Sequence, residues 1–299
     1  MINELEKCTI CPRNCGINRL QGKKGFCGVA DKIIASKTFL HHWEEPCISG
    51  ERGSGTVFFS GCNMKCIFCQ NYEISSFCNG KTIEIEELSD IFLGLQKDGA
   101  HNINLVTPTH FILHIVKALE TAKAKGLYIP VIYNTSGYEK VESLKKLKGL
   151  VDVFLPDIKY FSSTLSRKYS SAVDYFTYAA QAIKFMINNW GYPYFDKSGM
   201  LIKGVLIRHL ILPGCTRDSK KILKWVYDNF GTDAYISLMS QYTPMHLSAT
   251  CPEINRKLTQ KEYDEVVDYF FQIGLENGFV QENSSADEKY KPDFDLKGL

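Results

Sequence analysis

The chain has 299 residues, 44% hydrophobic and 23% charged, a globular balance with enough apolar side chains for a sizeable core. Its 35 basic and 33 acidic residues leave a formal charge of +2, which argues against a nucleic-acid partner and against an acidic disordered tail. No run of 18 apolar residues offers a transmembrane helix, and the first residues lack a signal peptide's basic and apolar regions, so a cytoplasmic protein without a membrane partner is expected.

Residues 1–50 hold a Cys-rich segment that ends in His41-His42-Trp43-Glu44-Glu45-Pro46, which reads as a solvated connector, placed where it can lie over a barrel mouth. Residues 56–60 read as a buried strand and 84–97 as a helix with Leu88, Ile91, Phe92 and Leu95 on one face. Strands at 102–106, 129–133 and 151–155 alternate with helices at 109–125 and 139–148. A long helical stretch at 166–189 precedes a strand at 204–212, a helix at 219–229, a strand at 234–239 and a last helix at 260–274. Such alternation predicts a parallel sheet with right-handed crossovers. Six strands are two short of a closed barrel. The expected fold is therefore α/β: a partial (β/α)6 TIM-type barrel over residues 51–245, with the Cys-rich metal-binding segment before it and a helical extension over 246–299. The acidic and aromatic stretch 287–295 is expected to lie against the barrel. Chemistry in such folds sits at the C-terminal strand ends, where polar residues gather here.

Cysteine usage is the anomaly. Nine of eleven cysteines lie before residue 79. The odd count argues against a disulfide framework and for metal or redox chemistry. Cys62-x3-Cys66-x2-Cys69 suits a [4Fe–4S] cluster, whose fourth iron then stays open for a substrate or cosubstrate. The alternative is a zinc knuckle that recruits Cys78. Cys8-x2-Cys11-x3-Cys15-x11-Cys27 is flanked by glycines that allow tight turns. Zinc and a second iron–sulfur cluster both suit it, and structural zinc is the preferred reading, because a short knuckle needs its metal to fold. A metal-free arm is the alternative. Cys47, Cys78, Cys215 and Cys251 read as small buried hydrophobes. Cys215 follows the fifth strand, so hydrogen donation in radical chemistry is its alternative role.

The Cys-x3-Cys-x2-Cys loop with Phe68 before its third cysteine resembles the radical S-adenosylmethionine (SAM) superfamily. Residues 53–62, Cys69-Gln70-Asn71, Val106-Thr107-Pro108-Thr109-His110, 133–137, 155–159, 208–214 and 237–244 further resemble the branch of pyruvate formate-lyase activating enzyme-related proteins. The resemblance covers nearly the whole chain. It implies that SAM chelates the open iron and that one-electron reduction yields methionine and a 5′-deoxyadenosyl radical, which abstracts a substrate hydrogen. It also implies that Cys62, Cys66 and Cys69 hold the cluster. Asn71, Thr107, Asn134, Ser136, Asp157, Lys159, Arg208 and Gln241 are the implied SAM contacts.

Two departures stand out. Where relatives carry Asp-Thr-Asn-Gly, this chain has Asn134-Thr135-Ser136-Gly137, which keeps a ribose hydrogen bond but loses a charge. Where relatives carry Gly-Gly-Glu, it has Val106-Thr107-Pro108-Thr109, so a carbonyl and a hydroxyl replace a carboxylate; Thr109 alternatively caps the next helix. The implied activity is a radical SAM oxidoreductase that abstracts hydrogen from a protein or peptide, as in glycyl-radical activation, with flavodoxin or ferredoxin as electron donor. The alternatives are the same chemistry on a small-molecule metabolite or an RNA base, and a non-catalytic iron–sulfur or zinc scaffold or electron-transfer protein.

Overall fold

The structure is a computed structural model that describes residues 3–281 and 292–299. Every expected strand is present: β2 (Ser54–Phe59), β4 (Ile103–Val106), β5 (Val131–Thr135), β6 (Val153–Pro156), β9 (Ile207–Leu210) and β10 (Ile236–Met239). Five short or irregular strands join them: β1 (Ile33–His41), β3 (Lys81–Ile83), β7 (Tyr194–Phe195), β8 (Leu201–Val205) and β11 (Gly278–Val280). The sheet runs β3-β1-β2-β4-β5-β6-β8-β7, and a second ladder runs β9-β10-β11. β8 and β9 are one strand interrupted at Leu206. Its first half pairs with β6, and Arg208 in its second half bridges Asp157. The two ladders therefore form one curved, mostly parallel wall. β11 is a seventh parallel strand beyond the six expected.

The parallel strands are apolar on both faces, as buried strands must be. Val131, Tyr133 and Phe154 pack outward among the helices. Ile132, Val153, Leu155, Leu201 and Leu206 face the other way and enclose Cys47 and Ile48. A short helix, Pro46–Ser49, thus plugs the barrel from inside. It enters beside the start of β2, where His41 pairs with Ser54, at the end opposite the strand C-termini. This corrects the expected connector over the mouth. His41 and Glu45 are buried, and Glu44 reaches Arg208 at 3.4 Å.

Helices cover the outer face. Ile85–Lys97 is held at its start by a capping box between Glu84 and Glu87. The expected helix at 166–189 splits into Ser163–Ser170 and Tyr175–Trp190, because Ser171 turns left-handed at φ 50°. The expected helix at 139–148 shortens to Val141–Leu144 and one 3-10 turn. Beyond Gln260–Gln272, the described end of the chain returns to β1. There Lys37 pairs with Asp295 at 3.1 Å and Phe294 meets Phe58 edge-on. Residues 287–291 of the acidic stretch lie outside the described residues. No helix among the described residues is long and apolar enough to cross a membrane.

Candidate functional site

The three-cysteine loop leaves the C-terminal end of β2. Gly61 sits at φ 86°, and a Cβ there would stand 2.7 Å from the Cys27 carbonyl, so only glycine fits without displacing backbone. Cys62 donates its N–H to that same carbonyl at 3.2 Å. Each sulfur then accepts a hydrogen bond: Cys62 from the Met64 N–H (3.3 Å), Cys66 from the Ser170 hydroxyl (3.0 Å) and Cys69 from the Ser75 hydroxyl (3.3 Å). Burial pushes the Cys62 thiol up to about 12 and raises Cys69 as well, so a free thiolate is disfavoured here. Phe68 walls the loop, edge-on to Tyr169 and Tyr242.

The sulfurs face a cavity of about 210 Å³ that opens at the strand C-termini. Cys62, Cys66, Cys69, Asn71, Thr107, Asn134, Ser136, Asp157, Lys159 and Gln241 all line it. Of the expected cluster and SAM residues only Arg208 stands behind the wall. Its guanidinium donates to Asn134 Oδ1 (2.5 Å) and Asp157 Oδ1 (3.0 Å). Lys159 Nζ holds the other Asp157 oxygen at 2.5 Å. Burial alone raises the Asp157 carboxyl, but these two cations bring it below its ordinary value. Because Arg208 takes the Asn134 carbonyl oxygen, the Asn134 amide NH2 is left to donate to an acceptor such as a ribose oxygen. Asn71 Oδ1 and Ser136 Oγ are buried, line the cavity and lack a protein partner. Buried polar atoms are nearly always paired, so both call for a polar ligand or water.

The departure after β4 has a backbone answer. Thr107 adopts φ 59°, a left-handed conformation that is strained for a β-branched residue. It thereby takes a backbone conformation that favours glycine. Such strain gathers at functional sites. Thr109 does not cap the next helix; its hydroxyl donates to buried Glu139 at 2.6 Å.

Sequence reasoning missed Glu44, Glu45, Glu139 and Tyr175. Glu139 also accepts from Thr135 at 2.5 Å, tying together the ends of β4 and β5. Tyr175 accepts the Lys159 N–H at 2.9 Å, and its hydroxyl lies 2.7 Å from the Ser136 carbonyl, which fixes two cavity-lining segments. Glu139 and Tyr175 each sit in a helical pattern near a strand end, a signal too weak to single them out.

A family model described as the Radical SAM superfamily matches residues 56–226, the span that carries the loop, β4 to β6 and β9. The chain belongs to the radical SAM superfamily. It is 32% identical over 281 residues to the uncharacterized protein MJ0674 of Methanocaldococcus jannaschii, covering 89% of this chain and 75% of that protein. Two solved structures share the fold at low identity. The FeFe-hydrogenase maturase HydG from Carboxydothermus hydrogenoformans superposes with a TM-score of 0.51 at 13% identity, covering 73% of this chain and 50% of that one. Native anSMEcpe with bound AdoMet and Kp18Cys peptide superposes with a TM-score of 0.50 at 15% identity, covering 73% and 60%. The chain thus spans only about half to three-fifths of those structures.

The radical SAM donor set fits the site. Three cysteines, two buried and Cys69 half-buried, each already accepting one hydrogen bond, suit a [4Fe–4S] cluster, because those donors offset the charge that thiolate ligands bring. The cluster takes each thiolate on a different iron, so the sulfurs need not converge on one point. Among the described residues no group of three or more His, Cys, Asp or Glu side chains is arranged to hold a single ion. Cys78 does not line the cavity; it stands beside Gly28 and Lys65, which leaves the zinc-knuckle alternative without its fourth ligand. Cys215 and Cys251 are buried with Phe68 and Tyr242 in an apolar cluster and do not line the cavity either. Cys8, Cys11, Cys15 and Cys27 line a separate small cavity together with His110.

Proposed function

We propose that this protein cleaves SAM reductively and directs the resulting radical at a protein or peptide, in the manner of a glycyl-radical activase. The observation that carries the reading is the single cavity shared by the three cysteines and the unpartnered oxygens of Asn71 and Ser136. When bound, the cluster and SAM supply one-electron cleavage to methionine and a 5′-deoxyadenosyl radical. This chain's residues bind and orient. Lys159 offers an ammonium to a carboxylate, the Asn134 amide and Ser136 hydroxyl offer polar contacts to a ribose, and Phe68 with Tyr242 excludes water from the sulfurs.

One feature favours a macromolecular substrate. Beside Asn71, the rim carries Tyr72 stacked on His246 at 4.8 Å, with Phe77 against both, and Phe77 and Leu247 are exposed. An apolar rim of this kind suits a docking chain better than a polar metabolite. Flavodoxin or ferredoxin is the proposed electron donor, and the four amino-terminal cysteines are read as a second metal centre.

The test is anaerobic cluster reconstitution, then dithionite with SAM, and 5′-deoxyadenosine quantified by mass spectrometry. Product that depends on Cys62, Cys66 and Cys69 supports the reading. Deuterium transfer from a labelled protein substrate into 5′-deoxyadenosine identifies the target. A full cluster that neither binds nor cleaves SAM returns the protein to the scaffold class.

A further inference from the structure

The amino-terminal cysteines are wired into the radical SAM loop at two points. Arg13 lies between Cys11 and Cys15. Its guanidinium donates to the Asn63 carbonyl (2.7 Å), to the Ser170 carbonyl (2.9 Å) and to the Ser171 carbonyl, and it stacks 3.7 Å over Phe26. Asn63 follows Cys62 directly, and the Ser170 hydroxyl is the donor to the Cys66 sulfur. The second point is the Cys27 carbonyl, which accepts the Cys62 N–H. Both clamps therefore start on a cysteine turn and end on a cluster ligand or its neighbour.

Nothing regular holds that segment in shape. Residues 7–32 contain neither helix nor strand. Yet Cys15 accepts the Phe26 N–H (3.4 Å). This matches Cys62 with the Met64 N–H in the loop that the family assigns to a cluster. Backbone donors aimed at sulfur offset ligand charge at thiolate metal sites. A further group points the same way. His110 is 2% exposed, lines the cavity with all four cysteines and spends Nε2 on the Ser60 carbonyl at 2.8 Å. A carbonyl only accepts, so Nε2 carries the proton and the unpartnered Nδ1 keeps a lone pair. Arg13 and Arg19 line the same cavity, where their charge offsets a thiolate centre.

We propose that Cys8, Cys11, Cys15 and Cys27 bind a second iron–sulfur cluster, whose loading locks the radical SAM loop through Arg13 and the Cys27 carbonyl; among the described residues, no three of these side chains are arranged to hold a single ion, which disfavours zinc. Arg13 is a positioning residue, acting on the cluster through Asn63 and Ser170. Lysine cannot replace it, because one ammonium does not span three carbonyls as a planar guanidinium does. The metal part stands by itself, whereas the lock rests on the reading that Cys62, Cys66 and Cys69 hold the cluster.

The experiment has two arms on the full chain. First, the Cys62/Cys66/Cys69→Ala protein is purified anaerobically, before and after iron–sulfide reconstitution, and its metals are counted. Four irons with sulfide per chain are expected. A chain that binds no iron, or one zinc in its place, overturns the cluster. Second, Arg13→Lys and Ser170→Ala are compared with the parent in the loaded holoenzyme. Arg13→Lys is expected to speed amide exchange over residues 61–69, and both variants are expected to move the cluster to a more negative potential by loosening or removing the hydrogen bond to Cys66. A 10- to 100-fold loss of 5′-deoxyadenosine formation is expected with Arg13→Lys, the range for lost outer-shell partners of metal ligands. Unchanged exchange and potential in Arg13→Lys overturn the lock, and Ser170→Ala keeps the potential readable if Arg13→Lys does not fold. A parent protein with a locked loop but no SAM cleavage leaves the lock standing and removes the proposed function instead.

Discussion

The two cysteine groups lie side by side and obtain their order differently. Cys62, Cys66 and Cys69 hang from the end of a buried parallel strand, and their cavity is walled in part by the ends of β4 and β5, which Glu139 ties together through Thr109 and Thr135. Cys8, Cys11, Cys15 and Cys27 sit on turns alone. The lesson is that a site built on the C-terminal ends of a parallel sheet is shaped before its cofactor arrives, whereas a site built on turns depends on its metal for shape.

The largest expected effect separates the two regions outright. Replacing Cys62, Cys66 and Cys69 together by alanine should reduce 5′-deoxyadenosine to background while the thermal transition of the barrel stays close to that of the parent apoprotein. A collapse of that transition breaks the idea that the barrel takes its shape before its cluster arrives. Next is Asp157→Asn, which leaves Lys159 without its carboxylate and Arg208 with Glu44 alone. It should cost about 3 kcal/mol in denaturant unfolding, the lower end for halving a buried ion pair, because these groups keep some contact with solvent.

A third test uses pH on the barrel side. His209 donates or accepts at the Ile158 carbonyl (2.7 Å) and the Ser219 hydroxyl (2.8 Å), next to the Asp157–Lys159 segment. A carbonyl cannot donate, so Nδ1 carries the proton and Nε2 accepts from Ser219. Burial lowers its pKa from 6.5 to about 4. The folded state therefore keeps His209 neutral while the unfolded chain takes up a proton. Its contribution is complete above pH 6.5 and is lost as pH falls toward 4. The loss is on the order of 3 kcal/mol and should be flattened in His209→Gln, as read by urea midpoints along a pH series.

Smaller still, Gly61→Ala places a Cβ against the Cys27 carbonyl at the junction of the two groups. It should cost roughly 1–3 kcal/mol and raise amide exchange on both sides of that contact. The smallest effect belongs to Ser136→Ala. Removing one unpartnered hydroxyl should weaken SAM binding by about 0.5–1.5 kcal/mol in calorimetry and leave stability unchanged.

Much of this molecule is readable from its residues, for identifiable reasons. Parallel strands buried on both faces appear as apolar runs, so β2, β4, β5, β6 and β10 stand out. β1 does not, because Ser36, Lys37 and Thr38 interrupt its apolar pattern and its antiparallel pairing is fixed by β2 rather than locally. β11 is three residues long, and only its ladder with β10 makes it a strand. In the site, the cysteine spacing and the polar strand ends point to one place because a barrel brings all C-terminal ends together. Glu44 escapes that logic. It lies far from Arg208 in sequence and enters from the opposite end of the barrel, so its charge reads as solvated until the chain folds.

The most direct measurement of the central claim is the electron paramagnetic resonance spectrum of the dithionite-reduced, fully reconstituted protein before and after SAM is added, read as the SAM-dependent difference so that the neighbouring group cancels. If the three-cysteine loop leaves one iron open to SAM, the cluster signal changes on addition and 5′-deoxyadenosine appears in the same sample. A complete four-iron cluster whose spectrum is unmoved by saturating SAM contradicts the account.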